Sequence, residues 1–296
     1  MRIGLFTVAG AAPLDDLVGA ARLARDTGLS SVFFGHMGSF DALMAAALAG
    51  REVPGIEVGT AIVPSYPRHP LTVASQALTA QAMTGGRFTL GIGPSHPSMI
   101  EGGYGIPYER PARHTRDYLT ALRPLLRGET VEHRGETLTA AGTVDAPGAT
   151  PPPVILSALG PAMLRVAGEL ADGTVTTWTG AEAIADHIVP AITKAAESAG
   201  RPAPRVLAGA LVALTTDPDG VRRELGERFG AATDFPAYRA TLERQGLSGV
   251  QETVIAGDET EVAAQLRRFA DAGATDLLIS PYGDTARVLE LAASLS

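Results

Sequence analysis

The chain has 296 residues, 45% hydrophobic and 19% charged, enough apolar material for a large core. A net charge of −8 without any Lys/Arg-rich stripe argues against a nucleic-acid partner, and zero cysteines exclude disulfides, thiolate catalysis and thiolate metal sites. No run reaches the roughly 18 apolar residues of a membrane span, and MRIGLFTVAG lacks the flanks of a signal peptide, so the expected setting is cytoplasmic and the expected partner a small molecule.

In chain order, the first strand is expected at Ile3–Val8. It ends in Val8-Ala9-Gly10-Ala11-Ala12-Pro13, which does not fit a dinucleotide-binding glycine fingerprint. A helix follows, with Leu14, Leu17, Ala21 and Ala24 on one face. Further strands are expected at Ser31–Phe34, Ile56–Val63, Arg87–Ile92, Val154–Ser157, Gly173–Thr177, Val206–Leu214 and Asp276–Ser280. Near-continuous apolar strands alternating with amphipathic helices indicate parallel strands buried on both faces. Eight such units over this length predict an α/β fold, a single (β/α)8 TIM barrel spanning residues 1–296.

Two segments break the rhythm. Residues 94–111 (GPSHPSMIEGGYGIPYERP around them) are rich in Gly, Pro and aromatics and have no period of their own. Residues 128–153 read as a short hairpin and a Pro-rich connector. The first directly follows a strand, so it is expected to emerge at the C-terminal face, where barrel active sites lie. Arg110, Arg113, His114 and Arg116 then open a helix; the plain reading is a solvated face, the functional one a basic rim for an acidic ligand tail.

Later in the chain, Ser157-Ala158-Leu159-Gly160-Pro161 passes from strand to helix with no long loop. The first turn of a helix presents unpaired N–H groups and a partial positive charge, and Pro161 at its first position wastes no donor. Thr177-Trp178-Thr179-Gly180 ends the next strand in the same manner. Neighbouring fifth and sixth strands would aim both helix starts at one point, a phosphate pocket.

The segments VPSYPRHP, ASQALTAQAMTGGRFTLGIGPSH, SALGPAMLRVAGELADGT and TWTG resemble the luciferase-like flavin and deazaflavin oxidoreductases, and within them the actinobacterial coenzyme F420-dependent (LLM class) reductases. The resemblance implies a luciferase-like TIM barrel, commonly a homodimer. It implies coenzyme F420 at the C-terminal ends of the strands, its phosphate in loops matching Ala158, Leu159, Gly160, Pro161 and Met163, and Trp178, Thr179 and Gly180. It also implies a non-proline cis peptide within Thr60-Ala61-Ile62, behind the ring, with Ile92, Gly93 and Ser95 beside it. His36 matches a histidine that approaches the ring, while Gly35 stands where an acid is common. Phe40 and Pro94 replace a tryptophan and a catalytic glutamate of the sugar-phosphate-oxidising members, which argues against that activity.

The expected function is hydride transfer between the deazaflavin C5 and a small organic substrate, with His36 as proton donor or as a ring-packing residue. Two readings stay open beside it: an FMN-dependent monooxygenase using O2 with a separate flavin reductase, and a non-catalytic flavin- or deazaflavin-binding protein. No metal site is expected, because no His/Asp/Glu set has ligand spacing.

Overall fold

Strand β1 (Arg2–Val8) pairs in parallel with β2 (Ser31–Gly35), which pairs with β3 (Glu57–Thr60). A two-residue strand β4 (Val63–Pro64) and β3 both pair with β5 (Phe88–Gly93). A hairpin of β6 (Val131–Arg134) and β7 (Thr139–Gly142) stands apart. The main sheet continues through β8 (Val154–Ser157), β9 (Gly173–Thr176) and β10 (Arg205–Leu214). A short β11 (Ile255–Gly257) pairs outside β10, and β12 (Asp276–Tyr282) returns to β1, closing the ring. The computed structural model describes residues 1–9, 13–38 and 40–296, and among them β1, β2, β3, β5, β8, β9, β10 and β12 form the closed parallel barrel with helices between its strands. Residues 10–12, part of the stretch read from sequence as unlike a dinucleotide fingerprint, lie outside the described residues.

Two-residue alternation builds two cores. Phe33, Ile155, Val175, Leu207 and Leu278 point into the barrel, and Phe6, Ala61 and Ile62 lie partly exposed against them. Their neighbours Val32, Phe34, Leu90, Ile92 and Leu156 point outward beneath the helices. The helices start where the sequence marks them. Asp41 caps residues Ala42–Glu52 through the N–H groups of Leu43 and Met44, and Asp258 with Glu261 forms a capping box for Glu259–Asp271.

The structure corrects several boundaries. The strand expected at Ile56–Val63 is two strands, β3 and β4, with the cis Ala61–Ile62 peptide between them. Residues 94–111, expected to be irregular, contain the helix Pro97–Tyr104, hidden by its Gly102 and Gly103. The 128–153 hairpin and connector stand as expected. A third excursion went unseen: between β10 and β11 the chain forms helices Pro218–Phe229 and Pro236–Arg244 and two 3₁₀ turns.

Candidate active site

The C-terminal ends of the strands gather most of the expected residues. At the end of β3 the cis bond lies between Ala61 and Ile62, inside the expected tripeptide. Ala61 and Ile62 join Phe6 as partly exposed apolar groups at the mouth of the barrel, packed against its inner core. Thr60 contributes no free group: its hydroxyl donates to the Gly91 carbonyl at 2.7 Å and accepts from the Gly91 N–H at 2.9 Å. Ile92 points into the outer core and is 1% exposed, so only its backbone borders the mouth.

Two glycines serve the protein's own packing. A Cβ on Gly93 would meet Ser157 Oγ at 2.1 Å and Ile62 Cδ1 at 3.3 Å, so this position admits the β8 serine hydroxyl. A Cβ on Gly35 would lie 2.8 Å from the Phe6 ring, which explains why no acid stands there. Phe6 has no role in the sequence reading and Ser157 only opens the β8 turn there, although strand alternation places both on the inner face.

His36 is half-buried just beyond β2, and its N–H donates to the Ile62 carbonyl at 3.3 Å. Its Nδ1 accepts the Ala42 N–H at 3.4 Å, which leaves the proton on Nε2. Burial, then the Arg68 guanidinium, lowers its pKa below 6.5, and Asp41 opposes them incompletely. Arg68 in turn binds Asp41 at 2.6 Å. One Asp41 oxygen caps the helix while the other holds Arg68, fixing the helix start against which His36 rests.

At the end of β8, Ala158 and Leu159 are buried, Gly160 is the N-cap of helix Pro161–Leu170, and no side chain caps that helix. Pro161 is exposed and Met163 packs partly against the core. Two residues past the end of β9, Trp178 holds a left-handed φ of 55°, its ring 5.7 Å from that of Phe229. Here the expected symmetry between the two turns fails. The Gly180 N–H is already bound by Gln245 Oε1 at 2.7 Å, and the Thr179 hydroxyl donates to the Thr177 carbonyl at 3.1 Å. The free group on this side is the Thr176 hydroxyl, 3% exposed and without a partner. Its Thr-x-Thr alternation with Thr174 was the available signal.

The insertion leaves the C-terminal end of β5 and is held from two sides. Ser95 adopts φ 64°, its hydroxyl turned to Met99 Sδ at 3.6 Å and its carbonyl accepting from Tyr108 at 3.0 Å. The His96 ring stacks on Phe235 at 4.0 Å with Tyr238 at its edge, and burial lowers its pKa. Tyr66 stacks between Tyr108 and His114. Burial pushes the His114 pKa down to about 4. The basic cluster is spent internally: Arg110 and Arg113 both bind Glu136, and Arg116 binds Glu169. Each of these arginines thus has an acidic partner, and Arg110 and Arg113 keep 60% and 43% of their side chains exposed. Among the described residues no group of three or more His, Asp and Glu side chains is placed to hold a metal, and no helix is long and apolar enough to cross a membrane.

A family profile described as luciferase-like monooxygenase matches residues 1–276. The chain belongs to the luciferase-like monooxygenase family. Within it, the chain is 27% identical over 239 residues to a 5,10-methylenetetrahydromethanopterin reductase of Methanolobus tindarius, covering 80% of this chain and 73% of that one. A Mycobacterium tuberculosis protein assigned as a coenzyme F420-dependent oxidoreductase is 30% identical over 178 residues, 55% of this chain and 51% of that one. The luciferase-like barrel itself superposes on the coenzyme F420-dependent tetrahydromethanopterin reductase of Methanopyrus kandleri with a TM-score of 0.83 at 22% identity, covering 99% and 97% of the two chains.

Proposed function

We propose that the protein is a coenzyme F420-dependent oxidoreductase acting on a small organic substrate. When bound, the deazaflavin supplies the hydride chemistry at its C5. The observation that carries the reading is the match between the mouth and such a ligand. An apolar floor of Phe6, Ala61 and Ile62 and the uncapped helix start after β8 lie at the same end of the barrel, where the buried, unpartnered Thr176 hydroxyl closes the adjacent strand β9. The floor suits a flat ring; the N–H groups of Ala162 and Met163 with the Thr176 hydroxyl suit a phosphate. Gly93, Ser95, Ala158, Leu159, Trp178 and Thr179 then border the cofactor mainly through backbone or packing.

His36 presents Nε2–H at the mouth, a hydrogen-bond donor for an oxygen that gains charge during reduction. The insertion, held at His96, is the segment this reading assigns to excluding water from that oxygen. The same reading makes the protein a cytoplasmic homodimer, with Met37 and Met44, 63% and 61% exposed, on the paired face. Fluorescence titration of apo-protein with F420 and with FMN separately, followed by anaerobic single turnover, tests it. Tight F420 binding with turnover independent of air is expected. Binding of FMN alone with strict O2 dependence would mean a monooxygenase, and tight binding with no hydride transfer a carrier.

A further inference from the structure

The turn between β8 and helix Pro161–Leu170 has an unusual polarity: its carbonyls are occupied while its leading N–H groups are not. The Thr174 hydroxyl donates to the Leu156 carbonyl at 2.9 Å and the Ala158 carbonyl at 3.3 Å. The Gly160 carbonyl accepts the Leu164 N–H at 2.9 Å. The Leu159 carbonyl is bound by His187 Nε2 at 2.8 Å, and since a carbonyl only accepts, that nitrogen carries the proton. His187 lies in a π turn, Ile184–Ile188, inside the helical run after β9. Pro190 just beyond has no N–H to return to Asp186, which removes one α-type rung at this point. A side chain is thereby brought back from that helix onto the β8 turn.

An anion tolerates no free carbonyl lone pair beside it. A second observation lies on the adjacent strand: on β9, two residues beyond Thr174 and on the same strand face, the Thr176 hydroxyl is buried without a partner. We propose that His187 is a positioning residue that turns the Leu159–Gly160 peptide so that its carbonyl faces away from the anion and the following N–H groups face it; this rests on reading the turn as the seat of the cofactor phosphate.

The test compares phosphate-bearing and phosphate-free chromophores, F420 against its deazariboflavin and FMN against riboflavin, on wild type, His187→Ala and His187→Gln. His187→Ala is expected to weaken the phosphate-bearing form roughly tenfold, the worth of about one hydrogen bond, and to leave the phosphate-free form unchanged. His187→Gln, whose amide N–H can reach the same carbonyl, is expected to restore most of the loss. If wild type binds FMN and not F420, the cofactor assignment fails, and the FMN–riboflavin pair still decides the role of His187. Equal losses for both forms, or a folded His187→Gln no better than His187→Ala, would overturn it. So would a wild type that binds neither chromophore, or binds both forms equally. Should His187→Ala not fold, the Gln variant alone decides by keeping or losing the phosphate preference.

Discussion

At Gly160 the direction a Cβ would take is open, with no heavy atom within 4 Å, and φ −83° with ψ 159° suits any residue. Gly160→Asp should therefore fold with wild-type stability while placing a carboxylate at the uncapped helix start. Loss of measurable F420 binding is expected by fluorescence titration; unchanged affinity in a folded variant would put the phosphate elsewhere. His36 is tested by rate rather than binding. Its lowered pKa means that the neutral imidazole predominates above pH 6.5, so the single-turnover rate should be flat from there upward. The rate should fall only at lower pH, as protonation of Nδ1 breaks the contact with the Ala42 N–H. His36→Ala should slow hydride transfer about 10²-fold, the low end for a lost proton-handling group; an unchanged rate removes His36 from the mechanism. Both positions were legible in sequence because His36 directly follows β2 and Gly160 directly precedes the helix that Pro161 opens. Thr176 and His187 were not, since what matters about them is a missing partner and a contact 28 residues back along the chain.

Among the elements, the barrel strands were legible because burial on both faces forces near-continuous apolar runs, as in Ser31–Gly35, all of it buried. The excursion between β10 and β11 was not, because polar helices such as Pro218–Phe229 bury only Leu225 and give no strong period. That excursion nevertheless reaches both sides of the mouth. Phe235 and Tyr238 hold His96 of the insertion, and Gln245 holds Gly180 after β9. A strap tied at two points can loosen at one without unfolding the barrel. Phe235→Ala should speed amide hydrogen exchange in residues 94–105 and raise KM more than it lowers kcat, with little change in Tm. Exchange confined to wild-type rates would show that the stack does not hold the insertion down.

For the whole molecule, the two ends of the barrel divide the work. Opposite the mouth, Arg205 bridges Glu57 at 2.9 Å and Asp276 at 2.7 Å, Arg2 also binds Glu57, and the Thr89 hydroxyl donates to Glu57 at 2.6 Å. This network joins β1, β3, β5, β10 and β12 at their N-terminal ends. Burial works to lower the Arg205 pKa, but its bonds to Asp276 and Glu57 outweigh it and hold the pKa above the usual range. The charge is thus firmly kept, and Asp276, 2% exposed, depends on it. Arg205→Met should cost about 3 kcal/mol, the lower end for breaking a buried pair, because Arg205 is 24% exposed and Arg2 still reaches Glu57 and Asp276. In urea the midpoint should fall with little change in slope, since the same surface is exposed on unfolding. F420 affinity of the folded variant should stay unchanged, because in this architecture the N-terminal face governs stability and the C-terminal face binds ligands. A loss of affinity under conditions where Arg205→Met is fully folded would show that the two ends are coupled through the barrel interior of Phe33, Val175 and Leu278.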